Sequence, residues 1–243
     1  MCTVVLLHRP GNPWPLILAA NRDERLDREW DAPAAHWPDR PGVIAGRDRM
    51  GGGSWMGVNR HGLVAAVLNR PGSLGPAPGK RSRGELPLVA LDHASAADAA
   101  AAISRLDAAG FRTFNMVLAD REAAIFIRGL GSSGPQVVPL SPGLHMVTAH
   151  DPDDPASPRV ARYLPRFRAA AVPDPGVGEW RDWQAILSDG SGPAGSEINV
   201  QPRGGFGTVC SSLLALPASG RPIWLFAAGP PDRAPFRPVE LGS

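Results

Sequence analysis

Cysteine, lysine and long apolar runs are nearly absent from this chain of 243 residues. Its two cysteines, Cys2 and Cys210, cannot build a disulfide framework, and they are too few for zinc patterns that need four closely spaced cysteine or histidine ligands. The apolar stretch at 4–7 is too short for the core of a signal peptide, and no later stretch has the apolar length that spans a bilayer. We therefore expect a cytoplasmic protein in a reducing compartment, without a membrane span and without a metal site.

The net charge is also low, and the basic residues are dispersed along the chain. The formal net charge is +2, Lys80 is the only lysine, and the arginines are scattered from Arg9 to Arg237. A nucleic-acid-binding protein concentrates its cations on one face or helix, so this pattern argues against a nucleic-acid partner. With 43% apolar and 20% charged residues, the composition is that of a globular protein. The length predicts one domain over residues 1–243 with a small-molecule ligand or substrate as partner, and it leaves the oligomeric state open.

Short apolar runs separated by glycine and proline turns predict a chain rich in strands. It opens with a hairpin of 3–7 and 16–20, followed by an irregular region over 25–53 and a second hairpin of 54–59 and 62–68. Later strands are expected at 114–119, 123–128, 136–140, 144–148, 208–216 and 222–228, and helices at 83–92, 95–109, 157–171 and 180–188. Strands and helices come in groups rather than in alternation, which predicts an α+β fold of antiparallel sheets with helices outside.

Cys2 is the first candidate functional residue, because removal of Met1 would make it the N-terminal residue. It would then carry a thiol and a free α-amino group whose ordinary pKa is about 8, and this amine can take the proton of the thiol without any histidine. A buried small apolar side chain is the alternative explanation for a cysteine at this position. Taken alone, the position favours that alternative, so the interpretation depends on the surrounding motifs.

A set of linked motifs accompanies Cys2. Residues 18–24 end in Asn-Arg-Asp-Glu, and the others follow in order: Gly52-Gly53-Ser54-Trp55-Met56-Gly57, Asn59-x-x-Gly62, Leu68-Asn69-Arg70 and Phe206-Gly207-Thr208. Together with the Met-Cys start, these motifs resemble the NRDE or TANGO2-like (transport and Golgi organisation 2) family over nearly the whole chain. The resemblance implies an N-terminal-nucleophile (Ntn) hydrolase fold, which is a four-layer αββα sandwich of antiparallel sheets. Its site would lie where Cys2, the 21–24 cluster and Asn69 converge.

The chain is also similar, more remotely, to the choloylglycine and penicillin acylase group, which hydrolyses amides with an N-terminal cysteine. That resemblance implies that Arg22 and Asp23 orient the nucleophile, with their neighbours as alternatives because the register is open by one residue. Asn69 matches an asparagine that helps bind the tetrahedral oxyanion, although by itself it is equally typical of a turn at a strand end. The candidate ligand-binding residues are Asn21, Glu24, Trp55 and Arg70.

Two positions depart from the acylase pattern. Where that group has a second asparagine after a threonine, this chain has Thr148-Ala149-His150, and where many relatives carry an arginine after Gly-Thr, it has Val209. At the expected places, a positioning amide is thus missing or replaced by His150, and a stabilising cation is missing. Because fold and function separate readily, these departures bear on catalysis and not on the fold.

Two functions follow from the resemblances. The first is a cysteine amidohydrolase that acts on a non-peptide C–N bond, in a linear or acyl amide of a small molecule, and that requires no cofactor. The alternative is a non-catalytic carrier, because resemblance to TANGO2-like proteins implies trafficking of haem or another amphipathic metabolite in the same cleft. His145, Met146 and His150 form the one sequence cluster with axial-ligand chemistry for haem, although surface or turn positions explain most such histidines.

The hydrolase hypothesis requires that Met1 be removed, because the α-amino group of Cys2 is the base in this chemistry. We expect the intact mass of the purified protein to lack one methionine residue, as measured by mass spectrometry. A protein that keeps Met1 in full has no free amine on Cys2, and that result would eliminate the self-activated mechanism.

Overall fold

The computed structural model describes residues 2–242, and Met1 and Ser243 lie outside the described residues. The processing of Met1 is therefore a question that the structure does not address. In chain order, the strands and α-helices of residues 2–242 are β1 (Thr3–His8), β2 (Leu16–Arg25), β3 (Trp30–Ala34), β4 (Val43–Asp48), β5 (Met56–Asn59), β6 (Val64–Asn69), α1 (Glu85–Leu91), α2 (Ala96–Ser104), β7 (Phe114–Ala119), β8 (Ala124–Gly129), β9 (Gln136–Pro139), β10 (Gly143–Val147), α3 (Pro158–Ala169), α4 (Arg181–Leu187), β11 (Phe206–Leu216), β12 (Ile223–Ala227) and β13 (Phe236–Pro238).

The strands form two antiparallel sheets. One sheet has six strands in the order β10-β1-β2-β11-β12-β13, and the other has seven in the order β3-β4-β5-β6-β7-β8-β9. The N-terminal hairpin pairs Thr3 with Asn21 and His8 with Leu16, as the sequence predicts. Strand β11 pairs along the other side of β2. Strand β2 is therefore interior to its sheet, with the N-terminal strand on one side and a strand from the end of the chain on the other.

Apolar side chains of β2 alternate between two cores. Leu16, Leu18 and Ala20 pack in the core between the sheets, whereas Ile17 and Ala19 pack in an outer core with α3 and α4. Successive side chains of a strand point to opposite faces. Because both faces of β2 are covered, its first five residues are continuously apolar rather than alternating.

Helices cover the outer face of each sheet. Helices α1 and α2 pack on the seven-stranded sheet through a third apolar core. Ser95 caps α2 by accepting a hydrogen bond from the backbone N–H of Asp98, and Ser157 caps α3 just ahead of Pro158. None of the helices in residues 2–242 has the length and apolar character needed to cross a membrane. The layer order of helix, sheet, sheet, helix confirms the predicted αββα sandwich of the α+β class.

Two expectations about local structure are wrong. Residues 25–53 are not irregular, because they hold β3 and β4, which complete one side of the seven-stranded sheet. Pro33 lies in β3, and an edge strand tolerates proline because one of its sides needs no hydrogen-bond ladder. The 21–24 cluster lies at the end of β2, and its residues pair with β11. Helix α2 is shorter than expected and ends at Ser104.

Asn59 fixes the turn between β5 and β6. Its side-chain nitrogen donates to the backbone carbonyls of Leu91 at 2.9 Å and His93 at 2.6 Å. Its side-chain oxygen accepts from the backbone N–H groups of His61 at 3.0 Å and Leu63 at 3.1 Å. Asn59, which belongs to the Asn59-x-x-Gly62 motif, therefore connects the hairpin to the end of α1 and has a structural role.

We expect Asn59→Ala to lower the free energy of unfolding by about 2–4 kcal/mol, because it leaves buried backbone groups unpaired at about 1–3 kcal/mol each. Asn59→Asp should be similarly harmful, since a carboxylate cannot donate to the two carbonyls. Urea unfolding measures both effects. The control is Asn12→Ala, whose side chain makes no hydrogen bond within residues 2–242 and which should change stability by less than about 0.5 kcal/mol. Equal effects of Asn59→Ala and Asn12→Ala would contradict the prediction.

Candidate active site

Strand β2 determines which residues of the Asn-Arg-Asp-Glu motif reach the space between the sheets. Ala20 faces the core between the sheets, and side chains alternate along a strand. Arg22 and Glu24 therefore share that inner face, whereas Asn21 and Asp23 face the outer helical layer. The register that the sequence left open by one residue is thus fixed by the alternation of β2.

Cys2 lies beside Arg22 on the inner face. The pairing of Thr3 with Asn21 puts Cys2 opposite Arg22 in the neighbouring strand, and Cys2 packs against the core between the sheets. Its Sγ donates a long hydrogen bond of 3.7 Å to the backbone carbonyl of Asp23. Burial raises the pKa of the Cys2 thiol above its ordinary value. The resting sulfur is therefore a protonated thiol at neutral pH, and it needs a base in order to react as a nucleophile.

The guanidinium of Arg22 is held over an indole ring next to this thiol. It lies 4.2 Å from the centroid of the Trp55 ring, and its Nη2 is 3.4 Å from the carboxylate of Asp48. Trp55 packs on Gly46, where a Cβ would come within 2.3 Å of the indole, so this stack requires glycine. The Arg22 side chain is only 5% exposed. Its charge therefore acts on Cys2 through protein rather than through bulk water.

A cleft of about 310 Å³ opens over Cys2. Arg22, Glu24, Trp55 and Asn69 also line it, so the structure brings these predicted site residues to one place. The Asn69 side chain makes no hydrogen bond within the described part of the chain, which leaves its amide available to a ligand oxygen. The remaining lining includes Asp48, two serines, apolar side chains and five basic residues, which are Arg28, Lys80, Arg81, Arg83 and Arg112.

The sequence predicts that Asn21 and Arg70 contact the ligand, but both side chains lie elsewhere. Asn21 points outward, where its Nδ2 donates to the backbone carbonyls of Leu187 at 3.0 Å and Ile198 at 2.9 Å. Arg70 lies beyond the end of β6, and its Nη1 pairs with Asp151 at 2.8 Å away from the cleft lining. Both residues are next to a site residue in the sequence. Asn21 faces outward because side chains alternate along β2, and Arg70 points away from the cleft because β6 ends at Asn69.

A buried ion pair that sequence reasoning missed lies on the outer face behind Cys2. Nη1 of Arg159, on α3, donates at 2.8 Å to both Asp23 Oδ2 and Thr3 Oγ1, and Thr208 Oγ1 donates to Asp23 Oδ1 at 2.7 Å. The side chains of Arg159 and Asp23 are 2% and 0% exposed. These residues join β1, β2, β11 and α3 directly behind the thiol. An arginine in an amphipathic helix is usually a surface residue, so the sequence carried no signal for this role.

Val209 and Ala149, which stand where relatives carry polar groups, are both buried. A bulge between Thr208 and Cys210 turns Val209 and Cys210 together into an apolar cluster beside Trp55. The missing amide and cation are thus replaced by apolar packing at those positions. A cation does lie beside Cys2, but Arg22 supplies it from the neighbouring strand.

Cys2 and Cys210 flank Arg22 on opposite sides. Cys210 pairs with Arg22 across β11 and β2, so the two cysteines are separated by two strand spacings, or about 10 Å. A disulfide needs Cα atoms within about 7 Å of each other, so these two thiols do not bridge. Burial raises the pKa of Cys210 to about 12, which makes it an unreactive thiol.

The cluster that the sequence offered for haem ligation does not face the cleft. Nδ1 of His145 lies 2.7 Å from Asp153 Oδ2 and Nε2 lies 2.8 Å from the Ser141 carbonyl, so both ring nitrogens have partners. Met146 is fully buried, and His150 is not part of the cleft lining. The donor set of this cluster therefore does not fit axial ligation of haem in the cleft.

Solved structures with the same architecture define the class of fold. The chain is similar to a Caenorhabditis elegans ortholog of N-acylethanolamine-hydrolyzing acid amidase (NAAA), with a TM-score of 0.60 at 15% identity over 90% of this chain and 95% of that chain. It is similar to penicillin V acylase from Agrobacterium tumefaciens, with a TM-score of 0.53 at 12% identity over 93% and 83% of the two chains. A mutant of conjugated bile acid hydrolase from Clostridium perfringens gives a TM-score of 0.51 at 13% identity over 99% and 97%. The fold is that of the N-terminal-nucleophile hydrolases.

The sequence itself then identifies the family. Residues 1–172 match the family model TANGO2, described as Transport and Golgi organisation 2. The chain belongs to this family, which confirms the resemblance carried by the motifs from Cys2 to Leu68-Asn69-Arg70, whereas Phe206-Gly207-Thr208 lies beyond the matched residues. Among curated protein sequences none matches this chain.

We expect Arg159→Met to lower the free energy of unfolding by about 3–5 kcal/mol, because it removes one member of a buried ion pair and leaves the Asp23 carboxylate in the interior. The matched control on the same helix is Arg166→Met, whose ion pair with Asp189 has 42% of the arginine side chain exposed and should contribute less than about 1 kcal/mol. Urea unfolding at neutral pH compares the two variants. Similar losses in both would refute the role given to Arg159.

Proposed function

We propose that this protein is an N-terminal-cysteine amidohydrolase that cleaves a non-peptide C–N bond in a linear or acyl amide of a small molecule. The observation that carries the proposal is the position of the Cys2 thiol at a cleft that also presents the buried cation of Arg22 and the available amide of Asn69. A nucleophile, a cation and an oxyanion donor around one opening are the elements that acyl transfer requires.

In the first step, the Cys2 sulfur attacks the carbonyl carbon of the amide and its proton passes to the α-amino group exposed by removal of Met1. A base is needed here because burial keeps the resting thiol protonated. The carbonyl oxygen becomes an oxyanion, to which the Asn69 side-chain nitrogen donates a hydrogen bond. Collapse of this intermediate breaks the C–N bond, and the leaving amine takes the proton back from the α-amino group.

In the second step, water attacks the thioester on Cys2 with the same α-amino group as base. The C–S bond breaks, the acid product leaves, and the thiol regains its proton. Arg22 contributes a fixed positive charge beside the sulfur that favours the developing thiolate. Asp23 acts as a positioning residue, because its backbone carbonyl accepts from Sγ while its carboxylate is anchored to Arg159 and Thr208.

The structural neighbours support hydrolysis of amides as a chemistry that this fold can carry, since they include an acid amidase, an acylase and a conjugated bile acid hydrolase. Identity of 15% or less keeps their substrates from being transferred to this chain. Carriage of haem or another amphipathic metabolite is the competing function. It would use the same cleft without chemistry at Cys2, and His145 and Met146 lend it no axial ligand.

We expect Cys2→Ala to abolish hydrolysis of a chromogenic acyl amide and Cys210→Ala to keep at least half of the wild-type kcat/KM. Both variants lose a cysteine next to Arg22, but Cys210 does not line the cleft of about 310 Å³ over Cys2. Asn69→Ala should lower kcat by about 10²–10³ with little change in KM, because its amide acts on the oxyanion and not on the bound substrate.

Mass spectrometry of a quenched reaction should show an acyl adduct on the N-terminal peptide of the wild-type protein. Full activity of Cys2→Ala would remove the nucleophile assignment. Saturable binding of a ligand that is released chemically unchanged, with no turnover of any acyl amide, would favour the carrier function instead.

A further inference from the structure

The cleft over Cys2 has a strong excess of positive charge. Arg22, Arg28, Lys80, Arg81, Arg83 and Arg112 line it, against only two carboxylates, those of Glu24 and Asp48. The whole chain has a net charge of only +2. This cleft therefore concentrates cations that the sequence spreads over about ninety residues, and a potential of this sign attracts anions.

The cations of the cleft fall into two groups. Arg22 and Arg28 both contact the carboxylate of Asp48, at 3.4 Å and 2.6 Å, and Arg81 pairs with Glu85 on α1. Lys80, Arg83 and Arg112 have no carboxylate within ion-pairing distance in residues 2–242. The second group carries the uncompensated charge.

Arg83 and Arg112 donate instead to backbone carbonyls. Nη1 of Arg83 lies 2.8 Å from Ser73 Oγ and 3.2 Å from the carbonyl of Thr113. Nη1 of Arg112 lies 2.9 Å from the carbonyl of Leu74, and its Nη2 donates to a further carbonyl of the same 72–76 segment. Each Nη of the two arginines therefore has a neutral acceptor, but neutral acceptors leave the charge of both guanidinium groups uncompensated. The Nε–H of each arginine makes no hydrogen bond within the described residues.

The pKa of Arg83 reflects its surroundings in the cleft. Burial, and then the nearby charge of Arg112, lower the pKa of Arg83 to about 10. The guanidinium remains charged at neutral pH. Arg83 and Arg112 line the same cleft as Cys2, so a ligand in that cleft can lie near the sulfur and near both guanidinium groups.

We propose that Arg83 and Arg112 form a subsite for a carboxylate, so that the preferred ligands are small amides that carry a carboxylate on the part held away from Cys2. That the ligand is an amide rests on the proposed function, whereas the carboxylate subsite depends only on the residues of the cleft. Guanidinium groups bind carboxylates through paired, charge-assisted hydrogen bonds. The apolar side chains of Trp55 and Val67 would contact the remainder of such a ligand.

The test uses isothermal titration of the Cys2→Ala protein, in which turnover is blocked, with N-hexanoylglycine and N-hexanoylglycinamide. These probes share the amide and the acyl chain and differ only in a carboxylate against a neutral carboxamide. We expect the acid to bind at least about tenfold more tightly at low salt, and this preference should shrink as salt screens the interaction.

Arg112→Gln and Arg83→Gln, each added to Cys2→Ala, should reduce the preference for the acid to less than about threefold. The control is Arg105→Gln, which makes the same change of charge at an exposed arginine outside the cleft and should keep the preference. Circular dichroism confirms that each variant is folded, and Arg83→Lys, which retains the charge, should retain part of the preference.

Equal affinities for acid and carboxamide, or no binding of either probe at millimolar concentration, would overturn the carboxylate subsite. So would an equal loss of preference in Arg105→Gln and Arg112→Gln. The two proposals fail separately. Turnover of neutral amides without charge preference would leave the hydrolase and remove the subsite, whereas charge-selective binding without turnover in wild-type protein would leave the subsite and remove the hydrolase.

Discussion

The ion pair of Asp23 and Arg159 is the contact on which the geometry of the site depends. Two charges almost fully removed from water are tolerable only with further hydrogen bonds, and the hydroxyl groups of Thr3 and Thr208 provide them. This arrangement fixes the outer face of β1, β2 and β11 against α3. Because side chains alternate along each strand, a fixed outer face also determines which residues face inward. The positions of Cys2 and Arg22 are therefore determined by residues on the opposite face of the sheet that do not line the cleft.

The fold could be predicted from the sequence to a large extent, because its signals are local. The hairpin of 3–7 and 16–20 and the capped start of α2 at Ser95 follow from apolar patterns and turn chemistry. Strands β3 and β4 could not, since prolines and charged residues at an edge resemble a loop. The extent of one domain over 1–243 and a cytoplasmic location remain predictions.

Only those site residues that belong to a recognisable sequence motif could be predicted. Cys2, Arg22, Glu24, Trp55 and Asn69 share the cleft, whereas the neighbours of two of these residues point away because of strand alternation and the end of β6. Arg83, Arg112 and Arg159 had no motif. Dispersal of arginines along the chain excluded a linear basic segment. It could not exclude that arginines from β2, from the 80–84 segment and from the residues just before β7 converge in space.

The two cysteines on either side of Arg22 have a consequence for redox chemistry. A thiol that is oxidised to sulfenic acid is usually protected from further oxidation by a second cysteine that condenses with it. Cys210 is the only other cysteine in the chain, and it lies two strands away from Cys2 in buried surroundings. Recovery of an oxidised Cys2 therefore depends on a small external thiol that can enter the cleft, which ties the working state of the nucleophile to the reducing power of its surroundings.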